Sequence, residues 1–281
     1  MNADNALTSA PVKHVRLLAI GNSFSKNATR FLPEIVKTAG DQLTFQHICI
    51  GGCPLEKHWN NAVAFQKGST QAMAAAWSVL AAEKWDVVTI QQYSMYSFQI
   101  GTYRPWGKRL YNYIKKYAPQ TEIVFHQTWA YREDDRELFN RKFTPEKMYR
   151  DLEHAYRTIA KELGIRRIIP VGDAFHLATN SPGWKFVPDT KFFSDNPGFP
   201  ALPKDRHSIH GGYHWRDKDG VKVLGYDSHH ANIAGEYLGG CVWLEFFFGK
   251  DCRRIKFRPK QIPLKDAEFL RKVAHEAASG K

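Results

Sequence analysis

The sequence predicts an α/β fold: a parallel sheet of five strands with helices on both faces. Two observations predict it. Short apolar runs alternate along the chain with longer stretches of helical spacing. The helical stretches also stop on Gly or Pro, the residues that close helices, as at Gly40, Pro119 and Gly164. In sheets of this kind ligands bind beyond the carboxyl ends of the strands, so the residues that follow each strand carry the functional information.

The elements follow in order. "VRLLAI" (15–20) reads as the first strand, and "ATRFLPEIVKTAG" (28–40) as a helix ending at Gly40. "LTFQHICI" (43–50) is the second strand and runs into a Gly-Gly pair, and the Ala-rich stretch from Ser69 to Lys84 is helical. "DVVTIQ" (86–91), apolar and β-branched, is the third strand. "RPWGKRLYNYIKKYAP" (104–119) has helical spacing, and "EIVFHQ" (122–127) is the fourth strand. The helix at 145–164 has Pro145 near its start and Gly164 just past its end, and "RRIIPVG" (166–172) is the fifth strand. Two further helices close the chain, an apolar one in 231–249 and an amphipathic one in 263–279.

Between about Asp173 and Tyr226 the alternation breaks into a stretch rich in Gly, Pro, aromatics and charge. A loop this long is rare in a compact domain unless it serves a site. The reading is therefore one domain over residues 1–281, with an insertion at about 173–226 lying near the active site.

Composition bounds the function. The chain has 281 residues, 43% of them hydrophobic, and no apolar run long enough for a membrane span. Its first residues, "MNADNALTSAPVKH", lack the apolar core of a signal peptide. The protein is expected in the cytoplasm, or in the periplasm or outside the cell if an export signal has been removed. A net charge of +12 favours anionic partners, but the basic residues are scattered apart from "CRRIKFRPK". With no zinc finger and no RNA-recognition signature, nucleic acid is not an expected partner. Cys49, Cys53, Cys241 and Cys252 lack the spacing of a zinc site, and a Cys241–Cys252 disulfide is the one pairing considered for an exported protein. No metal and no cofactor are expected.

The chemistry stands at the strand ends. Ser23 follows the first strand directly in "IGNSFS". A nucleophilic serine needs a base and an acid that orients the base. "YDSHHANIAG" supplies both, with Asp227 and His230 three residues apart before a helix. The bland alternative is a capping aspartate with loop histidines. The two stretches together resemble the SGNH or GDSL hydrolase superfamily, on Gly21-Asn22-Ser23 and Asp227-Ser228-His229-His230, with Asn232 and Gly235 continuing the second motif.

The resemblance implies a flavodoxin-like three-layer α/β/α sandwich, in agreement with the element order. It implies a triad of Ser23, His230 and Asp227, with His229 pointing elsewhere. It also implies an oxyanion hole from the N–H groups of Ser23 and Gly52 and a side-chain amide. The amide block departs from the family: "TIQQYSMYSF" has no asparagine, which leaves Gln92, with Gln91 or Ser94 as alternatives. Asn22 stands where the family usually has aspartate.

The expected activity is hydrolysis of short acyl esters, acetyl above all, on a carbohydrate or other small-molecule substrate. Aromatics crowd the expected rim: Trp59, Tyr93, Trp129, Trp184 and Trp215 as substrate platforms, with Tyr96, Tyr131 and Tyr213 nearby. Two other classes compete. One is a carbohydrate-binding protein that keeps the fold without catalysis. The other is a flavin-binding protein, for which "GNSFSKNATR" is a poor phosphate loop.

Overall fold

The computed structural model describes residues 11–140 and 142–280. Five strands, β1 (His14–Gly21), β2 (Gln42–Cys49), β3 (Val87–Ile90), β4 (Glu122–His126) and β5 (Ile168–Ile169), form a wholly parallel sheet in the order β2-β1-β3-β4-β5. This is the flavodoxin-type doubly wound order, whose switch point lies between β1 and β3. Leu17, Leu18, Ala19, Val88, Ile90, Val124 and Phe125 are all buried, as strands covered on both faces must be. The register sets Gly21 beside Cys49, Ile20 beside Ile90, and Ile90 beside Phe125. The carboxyl ends of four strands therefore lie level, and the segments that follow them emerge on one edge.

Helices cover the sheet in two layers. In chain order they are α1 (Ser23–Thr29), α2 (Leu32–Thr38), α3 (Leu55–Gln66), α4 (Ala72–Ala75), α5 (Val79–Ala82), α6 (Trp106–Tyr117), α7 (Pro145–Leu163), α8 (Val171–Asn180), α9 (Thr190–Asp195), α10 (Ile233–Phe248) and α11 (Leu264–Ser279). α1, α2, α8 and α11 gather around α10, while α3, α6 and α7 pack together on the other side. α10 is apolar nearly all round and is buried from Gly235 to Leu244, so it acts as a second core element rather than a surface helix. No described helix is long and apolar enough to cross a membrane.

Several details differ from the sequence expectation. The helix expected at 28–40 is two helices broken at Arg30 and Phe31, with Pro33 in the first turn of α2, where its missing N–H costs nothing. The helical stretch expected at Ser69–Lys84 is a chain of short pieces, α4 and α5 joined by a single 3₁₀ turn. The stretch from Asp173 to Tyr226 is only partly irregular. It begins inside α8, carries α9, and ends in an antiparallel hairpin of β6 (His210–Lys218) and β7 (Val221–Ala231). All four cysteines are free, and the Cys252 thiol donates to the Arg271 carbonyl at 3.2 Å.

Candidate active site

The first site segment is the turn between β1 and α1. Asn22 is its hinge and is 1% exposed. Its Oδ1 accepts the Phe24 N–H at 3.0 Å, which caps α1, and the Gln91 Nε2–H at 2.8 Å. Its Nδ2 donates to the Cys53 carbonyl at 3.4 Å. The side chain thus ties the end of β1 to the loops after β2 and β3. An aspartate there has no proton to offer Cys53 when ionised, which is a physical reason for the asparagine.

Gln91 is held in turn. Ser25 Oγ donates to its Oε1, and His126 Nδ1 lies 3.2 Å from the same oxygen. Burial lowers His126 to about 3, so the ring is neutral, and a proton on Nδ1 lets it donate to Gln91. His58, lowered to about 4 by burial, stands 3.0 Å from the Gly21 carbonyl and donates to it through Nε2.

Ser23 is the first residue of α1, so its N–H has no carbonyl four residues back within the helix. His230 Nε2 lies 2.7 Å from Ser23 Oγ, and His230 Nδ1 lies 2.8 Å from Asp227 Oδ2. The other Asp227 oxygen accepts the backbone N–H groups of His229 at 3.1 Å and His230 at 2.9 Å. Burial alone would raise Asp227. The hydrogen bonds from His230 and the charges of the two histidines outweigh it and hold the carboxyl well below the usual range. Asp227 is therefore ionised whenever the protein is folded near neutrality.

The strand β7 that carries this pair is anchored by the loop after β4. Arg132 N–H donates to the Ser228 carbonyl at 2.8 Å, and Trp129 Nε1–H to the His229 carbonyl at 2.9 Å. Ser228 Oγ donates to Asp135 at 2.5 Å. Asn232 then caps α10 through the N–H groups of Ala234 and Gly235. Residues 207 positions apart in the chain meet in one hydrogen-bonded line because the turn after β1 and the end of β7 are each tied down by hydrogen bonds.

The oxyanion expectation needs correction. Gln92 is fully buried, and its amide is consumed: Oε1 accepts from Leu55 and Tyr93, while Nε2 donates to Thr102. Gln91 is equally committed, to Asn22 and Ser25. Ser94 is buried and shares a 2.8 Å hydrogen bond with the Tyr131 hydroxyl. Gly52 stands in the turn after β2 with φ +58, exposed, with its Cα side facing the Tyr93 ring.

Most expected platforms are also displaced. Trp129 is fully buried, stacked at 4.3 Å on both Phe24 and Phe175. Trp184 is buried against Phe269 at 4.6 Å. Trp59 packs edge-on against Tyr113 with the Arg109 guanidinium over its ring, on the seam of α3 and α6. Trp215 donates to the Ala201 carbonyl at 2.7 Å and braces that loop. Trp129 and Trp184 are packing residues, because large rings gain most from full burial, while Trp59 and Trp215 are half-buried and engaged by their neighbours.

Tyrosines line the open groove beside the site instead. Tyr93, Tyr131, Tyr213 and Tyr226 line an open groove of about 1180 Å³ that also meets Phe193, Arg216, Asp134 and His229. One wall comes from the loop after β4 and the other from the β6–β7 hairpin. Arg132 fastens the two: it pairs with Asp134 and Asp205, and its guanidinium lies 5.1 Å from the Tyr226 ring centre. Sequence reading had no signal for Tyr226 or for this clamp, since both depend on how the hairpin folds back.

Asp227, His229 and His230 bring three ligand atoms within 4.8 Å of one another, as do Glu245, Asp251 and His275. In the first set Asp227 and His230 are already engaged with each other, Ser23 and the backbone. In the second, Asp251 is paired with the Arg253 guanidinium at 2.7 Å, which opposes a cation.

No curated protein matches this chain. The crystal structure of a DUF4886 family protein from Bacteroides uniformis superposes with a TM-score of 0.73 and 26% identity, over 94% of each chain. A protein from Slackia heliotrinireducens, named as a candidate SGNH hydrolase, superposes with a TM-score of 0.53 and 20% identity, over 83% of this chain and 98% of that one. The relation to SGNH hydrolases thus holds at the level of fold, as a three-layer α/β/α sandwich. A family model described as a domain of unknown function, DUF4886, matches residues 16–183, well over half of the chain, and the protein belongs to that family.

Proposed function

We propose that this protein is a serine esterase that removes a short acyl group, acetyl above all, from a carbohydrate. One observation carries the reading: His230 bridges Ser23 Oγ at 2.7 Å and Asp227 at 2.8 Å, at the switch point of a doubly wound sheet. Ser23 Oγ attacks the ester carbonyl while His230 Nε2 takes its proton. Asp227 holds the ring by Nδ1–H and stabilises the imidazolium that forms. In this reading the N–H groups of Ser23 and Gly52 are the donors assigned to the developing oxyanion. His230 then gives its proton to the departing alkoxide, and water reverses the steps to release the acid.

The tyrosine groove supports a sugar as the alcohol part, because flat rings stack on pyranose faces and the flanking Arg216 suits hydroxyls. A second reading, a carbohydrate-binding protein without catalysis, is favoured by one feature: the Gln91 and Gln92 amides are both occupied. Hydrolysis of para-nitrophenyl acetate, butyrate and octanoate, with Ser23→Ala as control, separates them. The esterase reading expects acetate to be the best substrate and the variant to lose about 10³-fold or more. Equal rates in wild type and variant would leave the binding protein.

A further inference from the structure

We infer that His229 reads the alcohol part of the substrate: its Nε2 accepts a hydrogen bond from a hydroxyl next to the scissile ester. This rests on the esterase reading above and extends it to the residue beside the base.

The sequence places His229 next to His230 and expects it to point away. The structure instead puts both rings on the same carboxylate. His229 Nδ1 lies 3.3 Å from Asp227 Oδ1, while His230 takes Oδ2. The two ring centres are 4.2 Å apart. The His229 ring is flanked by Phe24, nearly parallel at 6.4 Å, and by Tyr131 at 5.2 Å. Its backbone is fixed at both ends, N–H on Asp227 and carbonyl on Trp129. These contacts keep Nδ1 on the Asp227 side of the ring, near the carboxylate but not hydrogen-bonded to it.

Nε2 has no hydrogen-bond partner among the described residues and is not among the buried unpaired atoms. The side chain keeps 38% of its surface exposed and lines the tyrosine groove. Burial, with the charge of His230, lowers the His229 pKa despite Asp227 and Asp135. The ring is then neutral at pH 7, and the Asp227 carboxylate 3.3 Å from Nδ1 favours the tautomer protonated there, which leaves the lone pair on Nε2. A lone pair there, next to the base, is open to a donor from bound substrate in place of water. The donor that an ester of a sugar presents at that distance is the neighbouring hydroxyl.

The test uses two esters: a methyl monoacetyl-glucopyranoside with the neighbouring hydroxyl free, and the same ester with that hydroxyl O-methylated. Wild type should prefer the free hydroxyl by about 3- to 10-fold in kcat/KM, the worth of one neutral hydrogen bond. In His229→Phe, which keeps a flat ring between Phe24 and Tyr131, the preference should fall to within about twofold. In His229→Gln, whose amide oxygen still accepts, it should largely return. A preference absent from wild type, or intact in His229→Phe, overturns the assignment. Wild-type rates no higher than those of Ser23→Ala on either ester or on para-nitrophenyl acetate overturn the esterase reading itself, so the two failures are distinct.

Discussion

Acid should unfold this protein through the histidines beneath the nucleophile turn. His58 and His126 are fully buried and His210 is 3% exposed. Burial lowers them from 6.5 to about 4, 3 and 4. A depressed histidine is neutral in the native state and takes up its proton only in the unfolded chain. Its contribution is complete above pH 6.5 and is lost as pH falls toward the native value. Each such site costs about 1.4 kcal/mol for every pH unit below 6.5, so three together cost about 6 kcal/mol at pH 5. A domain's net stability is about 5–15 kcal/mol, so most of it is exhausted between about pH 5 and 4. His47, lowered to about 4 by burial and Lys26, acts in the same direction. Urea melts followed by circular dichroism at pH 7.5, 6, 5.5, 5 and 4.5 measure this. The slope of stability against pH should approach about 4 kcal/mol per unit below pH 6. His126→Gln should remove about a third of that slope, whatever it does to absolute stability. A flat profile from pH 7 to 5 would show that these rings titrate normally and refute the burial argument.

The remaining predictions test packing and the groove. A Cβ on Gly21 would lie 2.3 Å from Ser25 Oγ and 2.8 Å from Gln91 Oε1, so Gly21→Ala must shift the turn. Ester hydrolysis should fall at least about tenfold, and an unchanged rate would show slack there. Trp129→Ala should lose about 3–5 kcal/mol in denaturant melts, because the ring fills the space between Phe24 and Phe175. A loss under about 1 kcal/mol would mean that the site collapses around the gap. Tyr213→Ala should raise KM for an acetylated oligosaccharide more than for para-nitrophenyl acetate, which has no sugar ring to hold. Equal changes on both substrates would make Tyr213 a packing residue.

The five parallel strands and the meeting of Ser23 with His230 were legible because each leaves a local mark. The strands are short apolar runs with punctuated helices between them, and the two motifs sit where such strands end. The oxyanion side chain was not legible. Gln92 looks like a spare amide until the start of α3 at Leu55 and the segment at Thr102 close on it. Two of the tryptophan platforms, Trp129 and Trp184, failed for a related reason. Trp129 sits directly after a strand, as a rim residue would, yet Phe24 and Phe175 arrive from distant helices to enclose it. The places of Tyr226 and His229 in the groove were not legible either. Their exposure depends on the hairpin and on the Arg132 clamp, which joins residues 73 positions apart.

The most direct measurement of the central claim is covalent trapping. The protein is incubated with a fluorophosphonate at pH 7.5, and the intact mass and the modified peptide are read by mass spectrometry. Ser23 should gain one phosphonyl group, Ser23→Ala none, and His230→Ala the same group far more slowly, since the base that activates the hydroxyl is gone. No adduct on the wild-type protein, or an adduct on a residue other than Ser23, would contradict the account.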